Sequence, residues 1–412
     1  MIPTRRAIPL LGLAFCVFLL YSFSRLSQWR QMPQAVGKTA ATPSPTPFAR
    51  WNISGVGFDE PQGREPYAPL PQYVPGTPKP PGSTYSKMIV VPQTSEEDTT
   101  WMEYELPGWE SAVYVVDDPS APLHPPRNKG HEVMVYLSFI IDHYDQLPDI
   151  VAFMHSHQYA WHNDEIFGGN AAEMLDRLNP ARVIREGYMN LRCTWAPGCP
   201  DWLHPGTVEE DETKQEETML ARSWGEIFPD DPIPDVLAQP CCAQFAVSRE
   251  RILSIPKARF VYYRDWILRT ELSDYISGRV WEYLWHVVFT GENVVCPKEN
   301  VCYCDGYGVC FGGEDGYDEF RSVGQQKQEL EEDLKHWYGQ AEVIEIARLR
   351  GNLGESSRIT VPEPGKDLSL QDQIYAKELL LDDILFNATE RGKDPRARAV
   401  EAGRPWKEGD GF

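Results

Sequence analysis

The residues Ala112-Val113-Tyr114-Val115-Val116-Asp117-Asp118-Pro119, then Asn128-Lys129-Gly130-His131-Glu132, then Ile150-Val151-Ala152-Phe153-Met154 decide the fold class of this chain. The first run is apolar throughout and closes in an Asp-Asp-Pro turn, as a strand buried on both faces does. The second opens a helix, because Val133, Tyr136, Leu137, Ile140 and Ile141 recur at helical spacing. Leu147-Pro148-Asp149 ends that helix, and residues 150–154 read as a second strand. Strand, helix, strand predicts an α/β domain built on a parallel sheet. Outward from this unit, a further helix is expected over Gly169 to Leu178 and a strand-to-helix passage over Ala243 to Ile255. The segment Gly278 to Phe289 is apolar nearly all round and reads as one buried helix.

Toward the N-terminus the chain turns proline-rich between Gln31 and Ser86, a composition that favours an extended stem, and regular structure is expected from about Trp101. Before the stem, Ala7 to Phe23 is almost wholly apolar and follows Arg5 and Arg6. It reaches the lower limit for crossing a bilayer. No small-x-small cleavage site follows Phe23, so an uncleaved signal anchor is favoured over a cleaved signal peptide. Cys193, Cys199, Cys241, Cys242, Cys296, Cys302, Cys304 and Cys310 form an even set, and sequons stand at Asn52 and Asn387. Both features point to an oxidising lumen. Disulfides are favoured over a zinc site for the 296–310 run, because its spacing matches no usual zinc knuckle; Cys241 and Cys242 are expected to pair elsewhere, with Cys193 or Cys199 as candidates. The expected organisation is a cytoplasmic tip and anchor at 1–30, a stem at 31–100, an α/β lumenal domain at 101–315 and accessory helices at 316–412. This describes a single-pass type II membrane protein of the Golgi or endoplasmic reticulum. A formal charge of -22 over 412 residues argues against nucleic acid as a partner.

Ionisable residues cluster after the second strand. His155 and His157, read as strand residues, share a face, and the following loop returns His162, Asp164 and Glu165 to them. Imidazole and carboxylate together suit manganese, iron or zinc, and His155, His157, His162 and Asp164 are the predicted metal ligands. Loop hydrogen bonding explains the same residues without a metal. Glu282 and His286, four apart on the expected buried helix, form a second candidate, with Glu282 either paired to Arg279 or facing a site as a general base. Trp281 and Trp285 offer either a sugar platform or core packing. Asp117 and Asp118 end the first strand, where a carboxylate can hold a ribose or simply make the turn. Lys129 opens the helix and is a candidate phosphate contact. No nucleophile elbow or Walker loop is present.

The segments Asn128-Lys129-Gly130, Phe153-Met154-His155-Ser156-His157, Gly187-Tyr188-Met189-Asn190-Leu191-Arg192-Cys193, Cys241-Cys242-Ala243-Gln244-Phe245-Ala246-Val247-Ser248 and Ser277-Gly278-Arg279-Val280-Trp281-Glu282-Tyr283-Leu284-Trp285-His286 resemble a mainly fungal family known as domain of unknown function 3431. The resemblance covers about Val113 to Phe311 and carries no activity with it. More loosely, residues 244–252, Pro256 and the Glu282-containing, Trp-rich helix look like the acceptor half of single-domain nucleotide-sugar glycosyltransferases. That likeness implies a Rossmann-like, mostly parallel sheet of the glycosyltransferase-A kind, although the usual Asp-x-Asp metal motif is missing.

The expectation is therefore a lumenal enzyme that moves a sugar from a nucleotide donor to a glycan or glycoprotein hydroxyl. Asp117, Asp118 and Lys129 would hold the nucleotide, the His/Asp group would hold manganese, and Glu282 with His286 would act on the acceptor. The alternatives are a metal-dependent hydrolase and a non-catalytic protein that binds a glycan or a partner.

Overall fold

A computed structural model describes residues 71, 73–350 and 361–412. Among them no helix is long and apolar enough to cross a membrane. The predicted anchor at Ala7–Phe23 and the sequon at Asn52 lie outside the described residues.

Among the described residues five strands form one mixed sheet in the order β2-β1-β3-β5-β4. They are β1 (Lys87–Gln93), β2 (Glu110–Val115), β3 (Ile150–Phe153), β4 (Tyr188–Asn190) and β5 (Phe245–Ser248). β1 runs parallel to β2 on one side and to β3 on the other, whereas β5 is antiparallel to both β3 and β4. The expected strand–helix–strand unit is present, but the sheet is mixed. Its inner strand β1 lies within the stretch read as stem. Lys87-Met88-Ile89-Val90-Val91-Pro92-Gln93 has a short apolar centre and ends at a proline, and so resembles the proline-rich chain before it.

Side chains alternate across this sheet because the strand period is two. Val90, Ala112, Tyr114, Val151, Phe153, Phe245 and Val247 point to one face. There they meet α2 (Glu132–His143), α5 (Glu217–Ile227), α6 (Arg249–Leu253), α7 (Lys257–Arg269), α8 (Asp274–Glu282) and α9 (Trp285–Thr290). Ile89, Val91, Ile150, Ala152, Met154 and Ala246 point to the other face, against α1 (Trp101–Glu105), α3 (Ala171–Arg177), α4 (Pro180–Glu186) and α10 (Glu299–Tyr307). Helices thus cover both faces, and the strands read as unbroken apolar runs for that reason.

The stretch expected as one buried helix is two. α8 ends at Glu282 and α9 begins at Trp285, with Tyr283 and Leu284 making the break. Trp281 and Trp285 are fully buried, their ring centroids 5.2 Å apart, so they form core and not a sugar platform. Phe245 lies at the middle of the same aromatic cluster, 5.0 Å from Phe153, 5.4 Å from Tyr188 and 5.1 Å from Trp285.

Disulfides from Cys193 to Cys302 and from Cys199 to Cys296 tie the loop after β4 to the region around α10, and Cys304–Cys310 closes that region on itself. Oxidation was the expected state. Cys241 and Cys242 pair with each other, contrary to expectation, because Cys193 and Cys199 are already taken. Beyond the α/β body, α11 (Glu314–Leu349) and α12 (Lys366–Gly392) form an antiparallel helical hairpin, and α13 (Pro395–Glu401) returns to α10.

Truncating a fully buried aromatic costs about 3–5 kcal/mol through lost transfer energy and the cavity left behind. Phe245→Ala is expected to lower unfolding free energy by that amount in urea titration. A loss under about 1 kcal/mol would mean that the aromatic cluster is not the packed centre described here.

Candidate functional site

The chain leaves β1 toward β2 on one side and, after β2, crosses to β3 on the other side. Ligands of open α/β sheets collect at such a reversal, beyond the carboxyl ends of the strands. A crevice of about 370 Å3 lies there. Gln93 and Thr94 line it from the end of β1, Val116 from the end of β2, and His155, Ser156 and His157 from the chain after β3. Glu97 and His162 enter from loops, His131 and Glu132 from the start of α2, and Asp274 from the start of α8.

Three hydrogen-bonded groups fix the geometry. The Glu97 carboxylate accepts from the Thr94 backbone N–H at 2.6 Å, the Thr94 hydroxyl at 3.0 Å and the Ser156 hydroxyl at 2.7 Å. His157 Nε2 lies 3.5 Å from the same carboxylate, with its imidazole largely exposed. Burial alone would raise the Glu97 carboxyl, but the bonds from Ser156 and Thr94 and the nearby His157 outweigh it and hold Glu97 below the usual carboxylate value.

The second group is a histidine pair. His155 Nδ1 and His162 Nε2 are 2.9 Å apart, so the two rings share one proton along that line. Burial, reinforced by the neighbouring histidines, lowers His155 to about 3, and the same effects with Arg192 lower His162 to about 4. Both imidazoles are therefore neutral at physiological pH. Gln244 holds the pair in place, accepting from the His155 backbone N–H and donating to Asn163 Oδ1.

The third group surrounds the start of α2. Gly130 and His131 both have positive φ, 76° and 50°, and their backbone N–H groups donate to the Asp274 carboxylate at 2.6 and 3.3 Å. A non-glycine residue in that region is uncommon and is held by its surroundings. Here the His131 ring rests on Gly278, where an added Cβ would come within 2.4 Å of the ring, so only glycine fits. Glu132 follows. It is half-buried, and burial, with Glu282 and Asp274 adding like charge, lifts its carboxyl to about 8. Glu132 is thus protonated at neutral pH while Glu97 is ionised.

The predicted residues divide accordingly. His155, His157 and His162 come together at the crevice, but His155 and His157 lie in coil beyond the end of β3 and not on the strand. Asp164 does not join them. It is fully buried, caps a short 3-10 turn, and accepts from the Cys193 N–H at 2.9 Å and the Tyr303 hydroxyl at 2.8 Å. The four predicted ligands therefore do not converge on a metal. Among the described residues the trio that does converge is Cys304, Cys310 and Glu401, and its two cysteines form a disulfide.

Asp117 accepts from the Ser95 N–H and hydroxyl at the rim, whereas Asp118 accepts from Ser120 and makes the turn. The Lys129 ammonium donates to the Thr270 carbonyl. Glu282 stands behind Glu132, outside the crevice lining, and burial lifts it to about 7, with Arg279 opposing that rise. Arg279 is bonded to the buried Glu216 and not to Glu282. Since the helix breaks after Glu282, His286 is not its neighbour on one face. His286 is buried, 2.9 Å from the Asn293 carbonyl, and lowered by burial to about 4.

A family model described as "Protein of unknown function (DUF3431)" matches residues 89–305. The chain belongs to the DUF3431 family. The DUF3431 segment includes the crevice residues named above and leaves out the α11–α12 hairpin. No curated protein and no solved structure matches the chain.

Sequence reasoning missed Glu97, Glu132 and Asp274. Glu96-Glu97-Asp98 follow an apolar run, a signal lost once that run was read as stem. In carbon-13 NMR of the protein, the Glu132 carboxyl is expected to titrate near pH 8 and Glu97 below 4.5. Glu132 titrating with the exposed glutamates would refute the effect of burial on its carboxyl.

Proposed function

We propose that the crevice is the catalytic site of an enzyme that transfers a glycosyl group to a hydroxyl, with the nucleotide-sugar glycosyltransferase as the leading form. The observation that carries this reading is that two carboxyls line one crevice in opposite surroundings: Glu97 accepts from Thr94 and Ser156, which favours its ionised form, and Glu132 is held toward its neutral form by burial. Environments that push two such groups apart mark the acid and base sides of a reaction.

In this reading Glu97 orients His157 and stabilises its imidazolium as His157 takes the proton of the incoming hydroxyl. Glu132 gives its proton to the oxygen of the departing group. The neutral His155 and His162 contribute hydrogen bonds without adding charge. Burial keeps the Glu132 carboxyl protonated, and the neighbouring Glu282 adds to that in the same direction.

A hydrolase is the second reading, and one observation favours it. Among the described residues no lysine or arginine lines the crevice, and a diphosphate leaving group calls for positive charge. A neutral sugar leaving group needs only the proton of Glu132, with water in place of the acceptor. The predicted manganese ligands do not fit a metal, so no step is assigned to one.

The test is turnover by purified protein of a nucleotide-sugar panel with glycan acceptors, alongside neutral aryl glycosides without acceptor. Glu132→Gln is expected to lower kcat by about 10²–10⁴ and Glu97→Gln to act in the same direction, as loss of a positioned acid or base does. Because Glu132 is raised to about 8, the rate is expected to hold through neutrality and fall as pH rises through 8. Turnover that survives both substitutions, or no turnover of either substrate class, would overturn the proposal.

A further inference from the structure

The α11–α12 hairpin stands outside the family-matched segment, and α12 uses one face of its length against α11. Leu370 and Ala388 are buried on that face, Lys377 bonds across to Gln326, and Gln371 to Tyr338. A second apolar row runs along the side of α12 away from this seam. Leu368 is 62%, Tyr375 61%, Leu379 52% and Phe386 63% exposed. At 3.6 residues per turn these four fall within about 40° of arc and extend over roughly 27 Å. Spacings of seven, four and seven place them on one heptad seam, whose two remaining positions are Asp372 and Asp382, both exposed.

The seam has the form of a coiled-coil face, and its charge selects what can cover it. The row is symmetric about position 377, so antiparallel pairing with a second copy would set Leu368 against Phe386 and Tyr375 against Leu379. It would also set Asp372 against Asp382 at both ends, and parallel pairing would set each aspartate against itself. Burying like charges in contact opposes either arrangement. A basic residue at the facing position reverses the sign. The rest of α12 adds to the preference, since Asp367, Glu378, Asp383 and Glu390 outnumber Lys366, Lys377 and Arg391. Asn387 lies about 100° around the helix from Phe386, so a glycan on its sequon leaves the row open.

We propose that this face of α12 is a docking surface for an amphipathic helix of another protein, with an aliphatic seam and lysine or arginine opposite Asp372 and Asp382. The surface gives the chain a recognition function separate from the crevice.

The experiment titrates two labelled synthetic helices against the full-length chain by fluorescence anisotropy. Both carry the same leucine seam; one has lysine and the other glutamate at the positions facing Asp372 and Asp382. The lysine helix is expected to bind at least roughly tenfold tighter, with the difference shrinking in salt. Asp372→Lys with Asp382→Lys is expected to invert the preference, and Leu379→Asp to abolish binding of both. All three substituted positions are exposed, and circular dichroism verifies that the helices remain. Equal binding of the two helices, an unchanged preference after the charge swap, or self-association of the chain that Leu379→Asp abolishes would each overturn the proposal.

Discussion

The pairing of β1 on both edges governs the rest of this structure. With parallel partners on either side of β1, the β1–β2 connection runs one way across the sheet and the β2–β3 connection runs back the other way, so the two part between β1 and β3. Backbone there is relieved of sheet hydrogen bonding on one side and opens a crevice. Thr94 and Glu97 after β1, Val116 after β2 and Ser156 after β3 meet because the parallel register brings those strand ends to one level. The Glu97 carboxylate makes this convergence a bonded one, since it accepts from Thr94 on one strand's exit and Ser156 on another's.

Electrostatics follows from the same placement. Glu97 lies where loop N–H and hydroxyl groups point at it, so its ionised form is satisfied. Glu132, at the start of α2, is half-buried with carboxylates for neighbours, so its neutral form is favoured. The unusual backbone of Gly130 and His131, held by Asp274 and seated on Gly278, brings Glu132 to the crevice. Structural strain and proton affinity are thus two results of one local arrangement.

Much of the body was legible in the sequence because buried parallel strands must be apolar on both faces. Residues 112–116 and 150–154 showed this plainly, as did the helix between them. β1 escaped because Pro92 and the proline-rich approach hide a short run whose identity depends on two partners distant in sequence. The break at Tyr283 and Leu284 left no mark, since no glycine or proline stands there and Tyr283, Leu284 and Trp285 are apolar whichever helix they belong to. Of the site, the three histidines were visible as a cluster. Asp164 belonged to the same cluster in sequence, yet the 3-10 turn at Glu165–Phe167 directs its carboxylate toward Cys193 and Tyr303. Glu97 and Glu132 gain their meaning only from tertiary neighbours, which no local pattern records.

The central claim is that the crevice at the ends of β1, β2 and β3 is where ligand binds. The most direct measurement follows the ring carbons of all nine histidines by NMR while the chain is titrated with nucleotide sugars and glycans. The account predicts that His131, His155, His157 and His162 shift together with one ligand class, while the buried His286 and the hairpin's His336 stay fixed. Saturable binding that leaves these four unmoved would contradict it.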